Sequence, residues 1–236
     1  LAQETFPDHS KVIFVQNPFS YVDACGDAIA RGIDPQHAVI HSIGISRMCM
    51  DALAIAGAHP ASCVPVSPDL GKFEFVANKR RQIAYMPRKR RREAQVLAEA
   101  LRRRGRIADF ALVEIDGMTH DEVARTLGGS LFFVSLMRLE ALGFPAMEAM
   151  SAGCVAVGYT GIGTREYFDE TTGIPVPEGD TAALVAAVES AVAEYDADPA
   201  RLDALRRAGS ERVNAQYARP LFEAALREAW QRIAAG

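Results

Sequence analysis

The amino-acid sequence predicts an α/β fold built on a Rossmann-like, doubly wound parallel sheet. Short apolar runs rich in β-branched residues alternate with longer segments of helical periodicity, which is typical of βαβ units. Helix boundaries carry suitable residues, since Pro145 stands in a first turn and Gly153 at a helix end. The composition, 49% hydrophobic and 24% charged over 236 residues, is typical of a globular protein with one large domain or two small ones.

The alternation is most regular after residue 80, where it predicts a complete doubly wound domain. Strands are predicted at residues 82–86, 110–115, 131–135 and 154–159. Helices are predicted at residues 91–104, 119–127, 145–152, 164–168, 181–195, 199–216 and 220–234.

The first seventy residues supply fewer elements. The sequence predicts strands at 11–16, 38–43 and 62–66 and one helix near 47–58. These elements are too few for an independent core, so residues 1–70 are interpreted as the remnant of a larger domain. We expect a turn-rich linker at 71–78, the main domain at 79–220 and a closing helix at 221–236. Because the sequence lacks an initiator Met and enters a strand almost at once, we expect a fragment.

Positive charge is concentrated in one segment. Residues 79–106 carry a local charge of +10 and the rest of the chain −14, so this segment favours anions. Arg102, Arg103, Arg104 and Arg106 are interpreted as solvating a helix end. Arg88 differs, because it follows a predicted strand, and doubly wound sheets place ligands beyond their carboxyl ends. Aromatic residues are not interleaved with these bases, so we expect no nucleic-acid partner.

Other classes of protein are disfavoured by what the sequence lacks. The four cysteines show no zinc-binding spacing, so we expect no metal site and reduced thiols. No apolar stretch approaches the roughly 20 residues of a membrane span, and no signal-peptide pattern is present. We expect a cytoplasmic protein with at most peripheral contact at the inner face of a membrane.

Two carboxylates bracket the predicted helix start at Pro145. Glu140 and Glu148 are separated by seven residues, so both can face a ligand seated at that helix tip. Free N–H groups and the positive helix pole suit a pyrophosphate without a metal. Glu148 would then accept hydrogen bonds from a ribose and Glu140 from a second sugar, with Gly143 allowing close backbone approach. The alternative interpretation of Glu148 is a solvated helix residue.

The residues that follow carry a more specific pattern. The chain continues Ala149-Met-Ser-Ala-Gly-Cys-Val-Ala-Val-Gly-Tyr159 and Thr160-Gly-Ile-Gly-Thr-Arg-Glu166, and Ile83–Lys89 reads Ile-Ala-Tyr-Met-Pro-Arg-Lys. With the paired glutamates, this pattern resembles the retaining GT-B-fold glycosyltransferases of glycosyltransferase family 4. The resemblance runs from about residue 11 to about residue 215. It implies the C-terminal half of a GT-B fold with a partial, acceptor-side N-terminal domain.

The resemblance also implies residue roles. Glu140 would contact the donor sugar and Arg88 the diphosphate, as the catalytic pair. The other donor-binding residues would be Glu148, Gly143, Phe144, Lys89, Gly161, Ile162 and Gly163. Many relatives carry a lysine five or six residues after the arginine, where this chain has Glu93 and Ala94. Lys89 or Arg90 would replace it, and the alternative for each of them is a base that is simply solvated.

The implied reaction is transfer of a sugar, with retention, from a nucleoside diphosphate sugar to a hydroxyl of a carbohydrate or glycolipid acceptor in polysaccharide or glycoconjugate biosynthesis. No metal and no cofactor would be needed. Two alternatives stay open: a non-catalytic nucleotide-sugar-binding fragment, and a sugar-nucleotide epimerase or phosphorylase on the same architecture. His41 and His59 fall nearest the expected cleft, but His41 lacks the family motif and is interpreted as either satisfied by protein contacts or exposed. His120 is assigned no role.

Overall fold

The computed structural model describes residues 2–58, 60–107 and 109–235, so His59 lies outside the described residues. The helices are α1 (Ala2–Thr5), α2 (Pro18–Ala30), α3 (Arg47–Ile55), α4 (Arg91–Arg104), α5 (His120–Gly129), α6 (Phe144–Ser151), α7 (Thr181–Ala197), α8 (Ala200–Gln216) and α9 (Arg219–Ala235). The strands are β1 (Lys11–Val15), β2 (Val39–Gly44), β3 (Ala61–Cys63), β4 (Arg80–Tyr85), β5 (Ala111–Glu114), β6 (Ser130–Leu136), β7 (Val155–Tyr159) and β8 (Gly173–Val176).

The chain divides into two compact units, Leu1–Ser67 with Tyr217–Gly236 and Pro68–Gln216. The first unit holds a parallel sheet in the order β1-β2-β3. Ile43 and Val64 of this sheet region form a small core with Ala229 and Leu226 of α9. The last helix therefore completes the core of the first unit.

Helix α2 was not predicted from the sequence. Its start is well defined, because the Asn17 side chain accepts hydrogen bonds from the N–H groups of Phe19 at 3.0 Å and Ser20 at 3.2 Å, and Pro18 stands in the first turn. Gly26 and a weak apolar stripe obscure the helical periodicity of this segment. The signal that could have predicted the helix is the Asn17-Pro18 pair at its start.

The second unit confirms the predicted fold class. Its five strands are all parallel in the order β5-β4-β6-β7-β8, with an α-helix in each connection up to β7. Between β7 and β8, where a helix was predicted at residues 164–168, the structure has only a 3-10 turn at Gly163–Glu166. Apolar side chains of the central strands and of α4 and α7 form its core, which includes Ile83, Leu97, Phe132, Val157 and Leu184. The edge strand β8 was not predicted, because it is four residues long and contains Pro175.

The segment predicted as a linker, residues 71–78, lies within the second unit. Just beyond it, the buried ammonium of Lys79 donates to the carbonyls of Leu127 and Gly128, both at 3.0 Å, and of Ala152 at 2.6 Å. These carbonyls lie at the C-terminal ends of α5 and α6, where the helix dipole is negative. Burial lowers the pKa of Lys79, and its three carbonyl partners bind this segment to both helices.

The arginines at the end of α4 do more than solvate it. Arg104 donates to both oxygens of Glu189 on α7, at 2.6 and 3.0 Å, and Arg106 lies 3.5 Å from the same carboxylate. The Glu189 side chain is only 6% exposed, and these bases hold its pKa below the ordinary range. Half of the predicted solvating cluster thus joins α4 to α7.

Among the described residues, no helix is long and apolar enough to cross a bilayer.

Candidate functional site

The strand order of the second unit defines where a ligand fits. The chain runs from β4 outward to β5 on one side and then returns to β6 on the other, so the direction of winding reverses between β4 and β6. In open α/β sheets, ligands bind at the carboxyl ends of the strands at such a switch point. The loop after β4 holds Arg88 and Lys89, and the loop after β6 holds Glu140. The topology therefore brings three predicted site residues to one edge of the sheet.

Helix α6 begins at this edge. Gly143 caps it in the left-handed conformation, at φ 69° and ψ 61°, and its carbonyl accepts from the N–H groups of Ala146 at 3.2 Å and Met147 at 3.5 Å. In the part of the chain that the structure describes, the N–H groups of Gly143 and Phe144 have no acceptor. Phe144 is exposed. The helix tip thus offers free N–H donors and a positive pole, which suit an anion.

The glycines near the tip are required by protein packing. A side chain at Gly143 would collide with Thr164 and would lie 3.0 Å from the sulfur of Met137. One at Gly163 would overlap the carbonyls of Glu140 and Ala141, and the N–H of Gly163 donates to the Glu140 carbonyl at 3.1 Å. The predicted close approach therefore occurs between two protein loops.

Tyr167 also holds these two loops together, and the sequence analysis did not identify it. The buried hydroxyl of Tyr167 lies 2.7 Å from the carbonyls of both Leu142 and Gly143, to which it donates. Gly161 is also buried with φ 59°, while Ile162 is 42% exposed. Of the predicted loop residues, Ile162 is thus the one whose side chain is open to a ligand.

The three neighbouring bases after β4 have different partners. Arg88 is exposed, and it has no ion pair or hydrogen bond within residues 2–58, 60–107 and 109–235. Lys89 forms an ion pair with Glu140, whose side chain is 19% exposed. Arg90 is 8% exposed and pairs with Glu93, at 2.8 Å, and with Glu178.

Arg90 is further held by its surroundings. Its guanidinium donates to the carbonyl of Met137 at 3.3 Å and lies 4.9 Å from the centre of the Tyr159 ring. These contacts fill the hydrogen-bonding capacity that a phosphate would need. Of the two candidates for the second phosphate-binding base, Lys89 is therefore favoured over Arg90, because its side chain is 42% exposed and that of Arg90 only 8%.

Glu148 occupies a more buried position on the side of α6. Its side chain is 15% exposed, and Nε2 of His120 on α5 lies 3.7 Å from its Oε1. Burial raises the pKa of the Glu148 carboxyl above its ordinary value, and His120 opposes part of that rise. His120 also contacts the ring of Phe73 edge-to-face, with centroids 5.1 Å apart. No sequence signal links His120 to Glu148, because they lie on different helices.

In the first unit, His41 is a buried histidine, which is the first of the two states that the sequence left open. It is 4% exposed, and its Nε2 lies 2.9 Å from the hydroxyl of Ser62. Burial and the nearby charge of Arg232 lower the pKa of its imidazole. It is satisfied by protein contacts within its own unit.

The second unit thus combines a parallel sheet with a glycine-capped helix at its switch point, flanked by carboxylates and faced by bases. Residues 86–194 match the family model described as "Glycosyl transferases group 1". The matched segment contains every residue predicted to bind the donor.

Known proteins support the same class. An α-1,6-glucosyltransferase of Actinobacillus pleuropneumoniae serotype 7 (strain AP76) is 31% identical over 131 residues, which cover 47% of this chain and 39% of that protein. Sucrose-phosphate synthase from Thermosynechococcus elongatus superimposes with a TM-score of 0.69 at 17% identity, covering 95% of this chain and 68% of that one. Anabaena HepE, in complex with UDP and glucose, gives a TM-score of 0.67 at 11% identity, covering 94% and 71%. The chain thus spans well under half of the curated relative it matches.

Proposed function

We propose that this chain carries the donor site of a retaining, metal-independent glycosyltransferase, which moves a sugar from a nucleoside diphosphate sugar to an acceptor hydroxyl. The single observation that carries the proposal is the arrangement at the switch point. The tip of α6 with its free N–H groups, the two bases Arg88 and Lys89, and the carboxylate of Glu140 all lie on loops that leave the adjacent strands β4 and β6.

Each part of the donor has a suitable partner in this arrangement. The diphosphate would lie against the N–H groups of Gly143 and Phe144, with Arg88 and Lys89 neutralising its charge. Hydroxyls of the transferred sugar would donate to Glu140, and those of the ribose to Glu148. Exposed Ile162 and Phe144 would supply apolar contact at the same edge.

The chemical task is to stabilise the negative charge that develops on the diphosphate as the glycosidic bond breaks. Preorganised N–H donors and cations that already face the departing oxygens perform this task without reorganisation. Because Arg88 and Lys89 bring two positive charges, we propose that no metal is required. The leaving phosphate oxygen would take the proton of the acceptor hydroxyl on the same face, so the configuration at the anomeric carbon is kept.

Comparison with known proteins supports the choice of donor. The HepE structure is described as containing UDP and glucose, and a pneumococcal O-GlcNAc transferase of similar fold, at a TM-score of 0.63 and 12% identity, contains UDP and GlcNAc. We therefore propose a uridine nucleotide as the first donor to test, and a carbohydrate or glycolipid as the acceptor.

The proposal is tested by titration calorimetry with UDP-, GDP-, ADP- and dTDP-sugars, followed by incubation of the bound donor with candidate acceptors. Release of nucleoside diphosphate together with a glycoside of unchanged anomeric configuration, unaffected by EDTA, is the expected outcome. An isomerised sugar nucleotide would indicate an epimerase, and a sugar phosphate a phosphorylase. Failure to bind any of the four donors would overturn the proposal.

Donor binding without turnover would favour the second candidate, a nucleotide-sugar-binding fragment. The observation behind it is that this chain spans 39% of the curated relative. Release of free nucleoside diphosphate during incubation with donor and acceptor would separate the two candidates, since only a transferase produces it.

A further inference from the structure

A histidine beside the ribose-binding carboxylate has no part in the proposed mechanism. His120 is the first residue of α5, which begins just beyond the carboxyl end of β5. The N-cap is occupied by Thr119, whose hydroxyl accepts from the N–H of Glu122 at 3.3 Å while Glu122 reaches back to the N–H of Thr119 at 2.7 Å. Because the capping box is complete without the imidazole, His120 is free to serve another contact.

That contact is with Glu148. Nε2 of His120 lies 3.7 Å from Oε1 of Glu148, and the two side chains are 48% and 15% exposed. Within the described residues, His120 is the only charged or titratable partner of Glu148. The second carboxylate oxygen therefore has no protein partner there and can accept a hydroxyl.

The ring of His120 is also held in orientation. Its plane is inclined by 67° to the ring of Phe73, which is 1% exposed. The carbonyl of Phe73 accepts a hydrogen bond from the Ser151 hydroxyl at 2.9 Å, and Ser151 belongs to the same helix as Glu148. This hydrogen bond joins the segment that supports the imidazole to the helix that carries Glu148.

We propose that His120 is a positioning residue for donor binding, which holds one oxygen of Glu148 and so presents the other to the ribose hydroxyls. This inference rests on the proposed function. A buried carboxylate that is oriented by a neighbouring imidazole binds a diol better than one that must be ordered on binding. His120 is therefore expected to contribute to the recognition of ribose against deoxyribose.

Other charged groups around His120 serve different contacts. Asp121 pairs with Lys72 at 2.7 Å, and Arg125 lies near Asp121 on the same helix. This pair joins α5 to the short 3-10 turn at Leu70–Lys72 without touching Glu148. Lys72→Met therefore provides a matched control, which disturbs the same region but leaves the His120–Glu148 contact intact.

The test compares the binding of UDP and 2′-deoxy-UDP by calorimetry, or of the ADP or GDP pair if the wild-type protein binds that base instead. Wild-type protein is expected to prefer the ribonucleotide by roughly 10-fold, the order expected for a hydrogen bond to a charged group. His120→Ala is expected to weaken UDP binding by about 5-fold and 2′-deoxy-UDP binding by less than about 2-fold, which compresses the preference. His120→Gln, whose amide N–H can replace Nε2, is expected to restore at least half of it.

Equal weakening of both nucleotides by His120→Ala, or an unchanged preference, would overturn the inference while leaving the proposed function intact. Lys72→Met is expected to keep the wild-type preference, and compression in that variant would also count against His120. If the wild-type protein binds none of the four nucleotides, the proposed function itself fails, whereas binding of dTDP alone would overturn the inference about ribose and leave the proposed function standing. Should His120→Ala fold poorly, His120→Leu, which keeps an apolar contact with Phe73 but has no ring N–H, replaces it with the same expected loss of preference, and an unchanged preference in that variant would overturn the inference.

Discussion

The two glutamates that flank the start of α6 have the same chemistry and different surroundings. Glu140 lies in a loop, 19% exposed, and is paired with Lys89, whose side chain is 42% exposed. Glu148 lies on the helix, 15% exposed, beside an imidazole that is fixed against Phe73. Their exposure is nearly equal, so the difference lies in the partner. A mobile counter-ion can be given up to a ligand, whereas an oriented one holds its carboxylate ready.

The largest expected effect is on the rate of transfer when Glu140 is replaced. Glu140→Gln is expected to slow transfer by roughly 100-fold with a small change in donor KM, because its contact with the transferred sugar matters most in the transition state. Steady-state kinetics with the donor found by calorimetry measures both constants. Glu170→Gln, an exposed glutamate outside the site, is the control and is expected to leave both unchanged. A loss confined to KM would contradict the assigned role.

The converse effect is expected at Glu148. Glu148→Gln is expected to weaken donor binding by roughly 10-fold while slowing transfer from the bound state by less than about 3-fold, since the ribose contact is equally strong in ground and transition states. Calorimetry and single-turnover kinetics on the same variant separate the two quantities. If donor affinity is unchanged, the ribose role assigned to Glu148 is wrong.

The ion pair between Lys89 and Glu140 predicts a gain in nucleotide affinity, in contrast to the losses above. If Lys89 leaves Glu140 to bind the diphosphate, then Glu140→Gln removes its competitor, and free UDP is expected to bind roughly 3-fold more tightly than to wild-type protein. The gain should disappear in the double variant Lys89→Gln with Glu140→Gln. A gain that persists without Lys89 would indicate simple charge repulsion from Glu140 instead of exchange.

The smallest expected effect concerns pH. Because burial raises the pKa of Glu148 above its ordinary value of 4.5, the ionised form that accepts ribose hydroxyls is lost as the pH falls through this raised value. UDP-sugar affinity is therefore expected to fall by a few-fold on acidification from pH 7. Calorimetry at several pH values measures this, and the same titration on Glu148→Gln is expected to be flatter.

The sign for stability is the reverse of the sign for binding. A carboxyl whose pKa is raised by folding binds protons more tightly in the native state, so its contribution to the free energy of unfolding decreases as the pH rises above about 4.5. Acid unfolding of Glu148→Gln should therefore lack this contribution. Should the binding affinity of wild-type protein rise on acidification, an ionised Glu148 cannot be the ribose acceptor.

Much of the second unit could be predicted from local sequence. Helix α4 has the predicted bounds, and the strands β4 to β7 lie within two residues of theirs, because burial imposes a period on the chain that can be read locally. The parts that were missed lack that signal. Strand β8 is short and contains Pro175, and α2 is marked by its Asn17 cap more than by an apolar stripe.

The candidate site divides in the same way. The sequence alone determined the glycine-capped start of α6 and the placement of Glu140 and Glu148 around it, since caps and helical spacing are local properties. Tertiary structure alone decided that Arg90 is committed to Glu178, that Lys89 pairs with Glu140, and that His120 faces Glu148. Ion pairs depend on distance through space, and the strand order that brings these loops together is set by packing of the whole sheet.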